Sequence, residues 1–294
     1  MLRKLLFLVL LLHLPPAFSE QGRLTVGTYL GLHKPALEDL NKHEFNSPIS
    51  GLADVIQGTG VNQTNKIVFP NPLPEFPAGV DSGLEFIWHQ NEKYDFIVGG
   101  STWETTSRAL TKGGLFLQGQ PANVYNERTA KLSYNEYYFG LRYNLIRSPK
   151  KFKGYYRLTL NEVFDIDYRE DLVFLFTSGD AAGVKKSIIL QSQATGLLML
   201  QPGFGMEYAF NDMVSMGVEA SYLFGFRQIA LRDGKSNVDF LSTDNLSLWL
   251  PQRVDPDTGN LQYLSEQPVS DQDYNAIRLD FDGWKMLFKL NINF

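Results

Sequence analysis

Apolar and polar side chains alternate through this chain at the period of a β-strand, most sharply in the segment GWKMLFKLNINF that ends at Phe294. There Trp284, Met286, Phe288, Leu290, Ile292 and Phe294 share one face. Lys285, Leu287, Lys289, Asn291 and Asn293 share the other. Neighbouring side chains on a strand point to opposite sides, so the two faces of this sheet must meet two different environments.

The same alternation marks other segments. MVSMGVEASYLFGF sets Val214, Met216, Val218, Ala220, Tyr222, Phe224 and Phe226 against Glu219 and its neighbours. GLLMLQPGFGMEYAF sets Leu198, Leu200, Phe204, Met206, Tyr208 and Phe210 against Gln201 and Glu207. YNEYYFGLRYNLI and YYRLTLNEVFDI repeat the pattern, the second with Tyr156, Leu158, Leu160, Phe164 and Ile166 on its apolar face and Glu162 breaking it. RLTVGTYLGL and GVDSGLEFIWHQ add two strands, and YDFIVGGSTWE reads as a strand whose faces are ambiguous. The expected strands are 22–32, 79–90, 94–106, 133–146, 154–167, 196–210, 213–231 and 276–294. Several exceed the usual globular length and suit a tilted bilayer crossing.

The connections alternate too. NEK at 91–93, RSPKKFK at 147–153 and ND at 211–212 are short, whereas 33–78, 107–132, 168–195 and 232–275 are long. Compact soluble domains rarely carry four long irregular loops, while membrane barrels do so with tight turns at one end and long loops at the other.

The start of the chain points to export. MLRK followed by the apolar run Leu5–Leu14, with Ala17 and Ser19 at the −3 and −1 positions, reads as a signal peptide over 1–19, leaving a domain over 20–294. Its removal takes Arg3 and Lys4 with it and moves the formal charge from −5 to −7. An acidic exported chain is a poor nucleic-acid binder. Without Cys there is neither a disulfide framework nor a lipoprotein anchor.

Alternation does not say which face is inside. A soluble barrel buries the apolar face and a membrane barrel turns it to lipid. The polar face here carries Gly27, Gly83, Gly140, Gly203, Gly205, Gly217 and Gly225, as a narrow crowded interior requires. It also carries Arg23, Glu85, Glu136, Arg142, Arg157, Glu207, Glu219, Arg227, Lys285 and Lys289. Enclosed charges are tolerable when paired, so these ten are expected to form a packed ion-pair network in the lumen. Trp88, Trp103 and Trp284, with Tyr137, Tyr143, Tyr156, Tyr208 and Tyr222, are expected in aromatic girdles.

In these features the chain resembles the small outer-membrane barrels of Gram-negative bacteria, the OmpA/OmpW type. The resemblance is architectural and covers most of 22–294. It implies an all-β, eight-stranded antiparallel up-and-down transmembrane β-barrel with four long extracellular loops. It also implies a bacterial outer-membrane location among lipids and lipopolysaccharide. The barrel-assembly machinery would read Trp284, Phe288, Leu290, Ile292 and Phe294 as an assembly signal.

Chemistry is sparse. Four His and no Cys give no metal-ligand spacing, and there is no nucleophile elbow, phosphate loop or dinucleotide fingerprint, so neither metal nor cofactor is expected. One weak catalytic constellation remains: His33 at the end of the first strand, Asp81 and Ser82 at the start of the second, and His43 in the loop between them. Asp and Ser are equally common as turn residues. The leading expectation is a non-enzymatic barrel with a structural or surface-binding role through its loops. A narrow channel or carrier for small or apolar solutes is the second reading, and an outer-leaflet lipid-modifying enzyme the third.

Overall fold

The computed structural model describes residues 24–42, 73–117, 120–147, 151–179, 182–240, 243–248, 252–254, 261–263, 275–276 and 278–294. The expected signal peptide, Arg23 and His43 lie outside the described residues.

Eight antiparallel strands close a ring: β1 (Leu24–Pro35), β2 (Gly79–His89), β3 (Tyr94–Leu117), β4 (Gln120–Arg147), β5 (Phe152–Phe176), β7 (Leu197–Ala209), β8 (Val214–Gly225) and β16 (Gly283–Asn293). Each is hydrogen-bonded to both neighbours, and β16 returns to β1. Following the pairs from Leu24 through Trp88, Phe96, Leu141, Leu158 and Pro202, then across β8 to Trp284, ends on Lys34 rather than Leu24. A stagger of ten residues over eight strands tilts them by roughly 40° and leaves an interior just wide enough for side chains to fill. Eleven-residue β16 is then ~36 Å long and ~28 Å tall.

Two of the tight connections use one device. Asn91 Oδ1 accepts hydrogen bonds from the N–H groups of Lys93 (2.8 Å) and Tyr94 (2.9 Å). Asn211 Oδ1 accepts from Met213 (2.9 Å) and Val214 (2.8 Å). An Asx side chain standing in for backbone holds the turn without a longer loop. Phe294 N–H donates to Leu24 O (2.8 Å) at this same end.

The opposite end differs from the sequence expectation. Residues 107–132 are read above as a loop, but β3 and β4 run on as a long hairpin through that interval. β5 also continues, leaves β7, and pairs with β6 (Lys185–Ala194), which carries β10 (Arg232–Phe240) and β11 (Thr243–Leu248) outward. Short strands β9 (Ile229–Ala230), β12 (Gln252–Val254), β13 (Leu261–Tyr263), β14 (Asn275–Ala276) and β15 (Arg278–Leu279) complete the described elements of this extension.

A bulge marks the change. Asp165 and Ile166 together stand opposite Tyr134, and Asp165 has φ 48°. One extra residue inverts side-chain parity. Ile166, placed above with the outward apolar set of β5, is therefore buried, as are Tyr168, Leu172, Phe174 and Phe176 beyond it. Glu162 is exposed on the outer wall near this boundary.

The mouth of the ring is filled. Leu37 and Leu40, at the start of the short helix α1 (Glu38–Lys42), pack with Leu73, Phe76, Leu279 and Phe281 in one buried cluster. Leu37 has φ 45°, which a branched side chain tolerates only when its surroundings fix it; here they bury it completely. Asn41 ties the cap together, accepting from Phe76 N–H (3.0 Å) and donating to Ala36 O (2.9 Å).

Candidate functional site

Polarity in the ring is inverted relative to a water-soluble protein. Outward side chains are apolar and exposed: Leu30, Leu84, Phe96, Phe139, Leu158, Phe204, Met216 and Met286 are among them, and Phe288 is 61% exposed. Inward side chains are buried, and the charged ones among them lie in three layers.

Nearest the tight-turn end, Arg142 bridges Asp95 (2.7 Å) and Glu207 (3.2 Å), and Glu207 is also bonded to Ser215. His89 joins this layer, Nδ1 to Asp95 (2.9 Å) and Nε2 to Thr25 (2.8 Å). In the middle layer Arg157 and Lys289 both face Glu85 and Glu219. Arg157 lies 2.5 Å from Glu85 and 3.2 Å from Glu219; Lys289 lies 3.0 and 2.6 Å from them. Tyr138 and Tyr155 hydroxyls donate to Glu85 (3.3 Å) and Glu219 (3.0 Å). Above them Lys285 bridges Asp81 (2.9 Å) and Glu136 (2.6 Å), while Asn161 connects Glu136 to Gln201.

Over these layers His33 Nδ1 meets the Tyr134 hydroxyl at 2.8 Å, and Trp103 stacks on Tyr134 with centroids 4.9 Å apart. Phe281 stands edge-on to both rings, which joins this layer to the apolar cap. Coulomb attraction within each pair offsets the desolvation of the buried charges, and hydrogen bonds add to it at Glu85, Glu136, Glu207 and Asp95. Glycine supplies the room. A Cβ at Gly205 would lie 2.2 Å from the Tyr155 ring, and one at Gly99 2.3 Å from the Tyr138 hydroxyl.

The structure brings together eight of the ten lumen residues named from the sequence: Glu85, Glu136, Arg142, Arg157, Glu207, Glu219, Lys285 and Lys289. Arg23 lies outside the described residues. Arg227 does not belong with them: β8 ends at Gly225, and Arg227 sits exposed beyond it, donating to Gly196 O (3.4 Å). Sequence reasoning missed Asp95, Tyr29, Tyr138 and Tyr155, and it gave Asp81 another role. Parity carried the signal for Asp81, which stands two positions from Gly83 and four from Glu85 on the polar face.

Parity also separates the catalytic candidates. His33 and Asp81 are buried inside the ring, whereas Ser82 is exposed on its outer wall. A Ser nucleophile needs its base within hydrogen-bond reach, and here the sheet lies between them. Trp103 is likewise no girdle residue, being buried inside the ring. The other girdle candidates face outward. Trp284 and Tyr222 pair at the loop end with centroids 5.0 Å apart. Tyr94 with Tyr143, and Phe152 with Tyr208, pair at the tight-turn end. Trp284, Phe288, Leu290, Ile292 and Phe294 all point away from the ring, Phe294 being 70% exposed.

No family model and no curated protein matches the sequence. Among solved structures, the chain is similar to the TodX deltaS2S3 mutant monoaromatic hydrocarbon channel, at 8% identity and a TM-score of 0.21, covering 94% of this chain and 91% of that one. A TodX deltaS2 mutant of the same channel gives 8% identity and a TM-score of 0.15, with 92% and 89% covered. Likenesses this slight carry no argument about fold or function. Among the described residues no helix is long and apolar enough to cross a membrane, which says nothing of crossing by strands.

Proposed function

We propose that the chain is an integral outer-membrane β-barrel with a closed interior, a non-enzymatic anchor that carries a β-sheet extension outward for structural or surface-binding use. The observation that supports this best is the inverted polarity: charged side chains inside the ring, large apolar ones exposed around it. In water an exposed apolar belt of this extent would drive association. In lipid it is the outer surface of a barrel whose apolar band is about 25 Å tall. The estimated height of β16 and the aromatic pairs at both rims fit that band.

Three layers of ion pairs under an apolar cap support a sealed barrel better than a conducting one. The separation of Ser82 from His33 weighs against the lipid-modifying reading. The full chain, extracted from membranes, should run at different gel mobilities before and after boiling, and in planar bilayers it should give no steady conductance. Recovery in the soluble fraction with unchanged mobility would sink the barrel reading. Steady single-channel currents would sink the sealed one.

A further inference from the structure

His89 lies at the turn-end mouth of the ring, its side chain 21% exposed, and it bonds to two strands at once. Nδ1 meets Asp95 Oδ1 of β3 at 2.9 Å, and Nε2 meets Thr25 Oγ1 of β1 at 2.8 Å. The partners decide where the protons sit. Asp95 Oδ2 accepts from Arg142 Nε (2.7 Å) and Asn144 Nδ2 (3.1 Å). A carboxylate engaged in this way offers lone pairs at Oδ1, so Nδ1 of the ring has to donate. Thr25 has one hydroxyl proton, and it goes to Asn293 Oδ1 of β16 (2.5 Å). The Asn293 amide is held against reversal, because its Nδ2 donates to Asp212 O (3.2 Å). Thr25 Oγ1 is left to accept, and Nε2 has to donate as well. Both ring nitrogens donate in the imidazolium and in no neutral tautomer.

Removing one proton forces a choice. Asp95 holds the proton on Nδ1, so the one that leaves is on Nε2. The bare Nε2 would then face lone pairs of Thr25 Oγ1, and rotation of the Thr25 hydroxyl to donate to Nε2 relieves this. Asn293 Oδ1 loses its donor. With it β1 and β16 lose a side-chain bond at the outermost pair of their ladder, where Thr25 stands opposite Asn293. The charged groups facing the imidazole come from other strands: Asp95 of β3 and Arg142 of β4, which also bridges to Glu207 of β7, with Lys153 of β5 opposite Glu207. Thr25 and Asn293 carry no charge, so the His89 proton reaches the seam through hydrogen-bond direction.

We propose that His89 is a proton-operated clasp on the seam that closes the ring. With two ring protons it leaves the Thr25 hydroxyl to Asn293; with one it takes that hydroxyl and slackens the seam. The test uses the full chain, isotope-labelled and folded in dodecylphosphocholine micelles, followed by NMR from about pH 5 to about pH 9. Heat-shifted gel mobility confirms the closed ring in each sample. The His89 ring should pass from the doubly protonated form to the tautomer with its proton on Nδ1. Over the same range the Asn293 and Phe294 amides, which donate to Met213 O and Leu24 O, should lose protection against hydrogen exchange. Corrected for the intrinsic rate and taken relative to amides in the middle of β16, the loss should be about fivefold, as one hydrogen bond implies. Thr25→Val should keep the protection level with pH while its His89 ring still titrates, and His89→Gln should keep it level too. A neutral ring with its proton on Nε2 overturns the proposal. So does wild-type protection that does not follow the ring, or a pH step that survives in Thr25→Val. The tautomer is read on the wild type, so a variant that fails to fold still leaves the proposal open to refutation.

Discussion

Two halves of the same strands solve opposite problems. In the ring, β4 turns Tyr137, Phe139, Leu141 and Tyr143 outward and Glu136, Tyr138 and Arg142 inward. In the extension it turns Glu127 and Lys131 outward and buries Val124, Ala130 and Leu132. β4 keeps its facing and changes which face is apolar. β5 does the reverse. Its even-numbered residues stay apolar for most of its length, outward at Tyr156 and Leu158, then inward at Ile166, Leu172 and Phe174. The bulge at Asp165 reverses the facing, so one alternation serves both environments. A strand whose outer face changes from apolar to polar can therefore rewrite its pattern or insert one residue, and adjacent strands here do one each.

Deleting Asp165 is the strongest way to break this contrast. The buried set beyond it would turn to solvent, at a cost of about 1.5–3 kcal/mol for each large side chain, which exceeds what an extension of this size can bear. Limited proteolysis should then cut the outer halves of β3–β5 while the ring keeps its heat-shifted mobility. Survival of a protease-resistant extension would refute the parity account.

Arg157→Ala acts on the ring instead. It leaves Lys289 as the one cation paired with both Glu85 and Glu219, and breaking a buried pair in this way costs about 3–5 kcal/mol. Urea titration followed by the mobility shift should show a lowered midpoint; an unchanged midpoint would mean that the layer is wet. Outward charges sharpen the comparison further. Phe288→Lys in the ring should cost about 2–4 kcal/mol if lipid surrounds it. Leu110→Lys, also outward but in the extension, should stay within about 0.5 kcal/mol. Equal costs would remove the distinction between the halves.

The smallest effect is expected at the junction, outside the strands. Burial, with the Asp280 carboxylate adding to it, holds Asp282 above its ordinary range, against the pull of the Gly225 N–H. A carboxyl whose folded value is raised binds its proton more tightly in the folded state. Stability at this junction should therefore rise as pH falls through the folded value toward that of unfolded Asp, and decline as pH rises. Asp282→Asn keeps an acceptor for Gly225 and should flatten that slope in hydrogen exchange of the β8–β16 end.

Much of the ring could be read in the sequence because each strand there separates apolar from polar side chains over many residues. Lys285 and Lys289 alternating with Trp284, Met286 and Phe288 leave one possible facing. The extension was harder. Between Ser107 and Leu132 the outward side chains include Arg108, Glu127 and Lys131, with Leu110 an apolar exception, and Gly113 and Gly114 interrupt the sequence, so the hairpin has the composition of a loop. The bulge was invisible for another reason: Ile166 continues the apolar series in sequence, and only the pairing with β4 shows that the series has changed sides. Asp95 was missed because Gly99 and Gly100 blur the two faces of β3.

The hydrogen bond from Phe294 to Leu24, and that from Thr25 to Asn293, join positions 268 or more residues apart in sequence. Every other neighbouring pair in the ring forms within a much shorter loop. Closing a loop of that length carries a length-dependent entropy cost of about 5 kcal/mol, which no local hairpin incurs. The seam between β1 and β16 is thus the contact of highest order and should form late, after the hairpins have supplied most of the native contacts. Until it forms, both outer strands present unpaired N–H and C=O groups, which hydrocarbon does not tolerate. On the membrane-barrel reading, folding and insertion are coupled through this one seam, and a chain truncated before Gly283 would keep its hairpins but have no ring to insert.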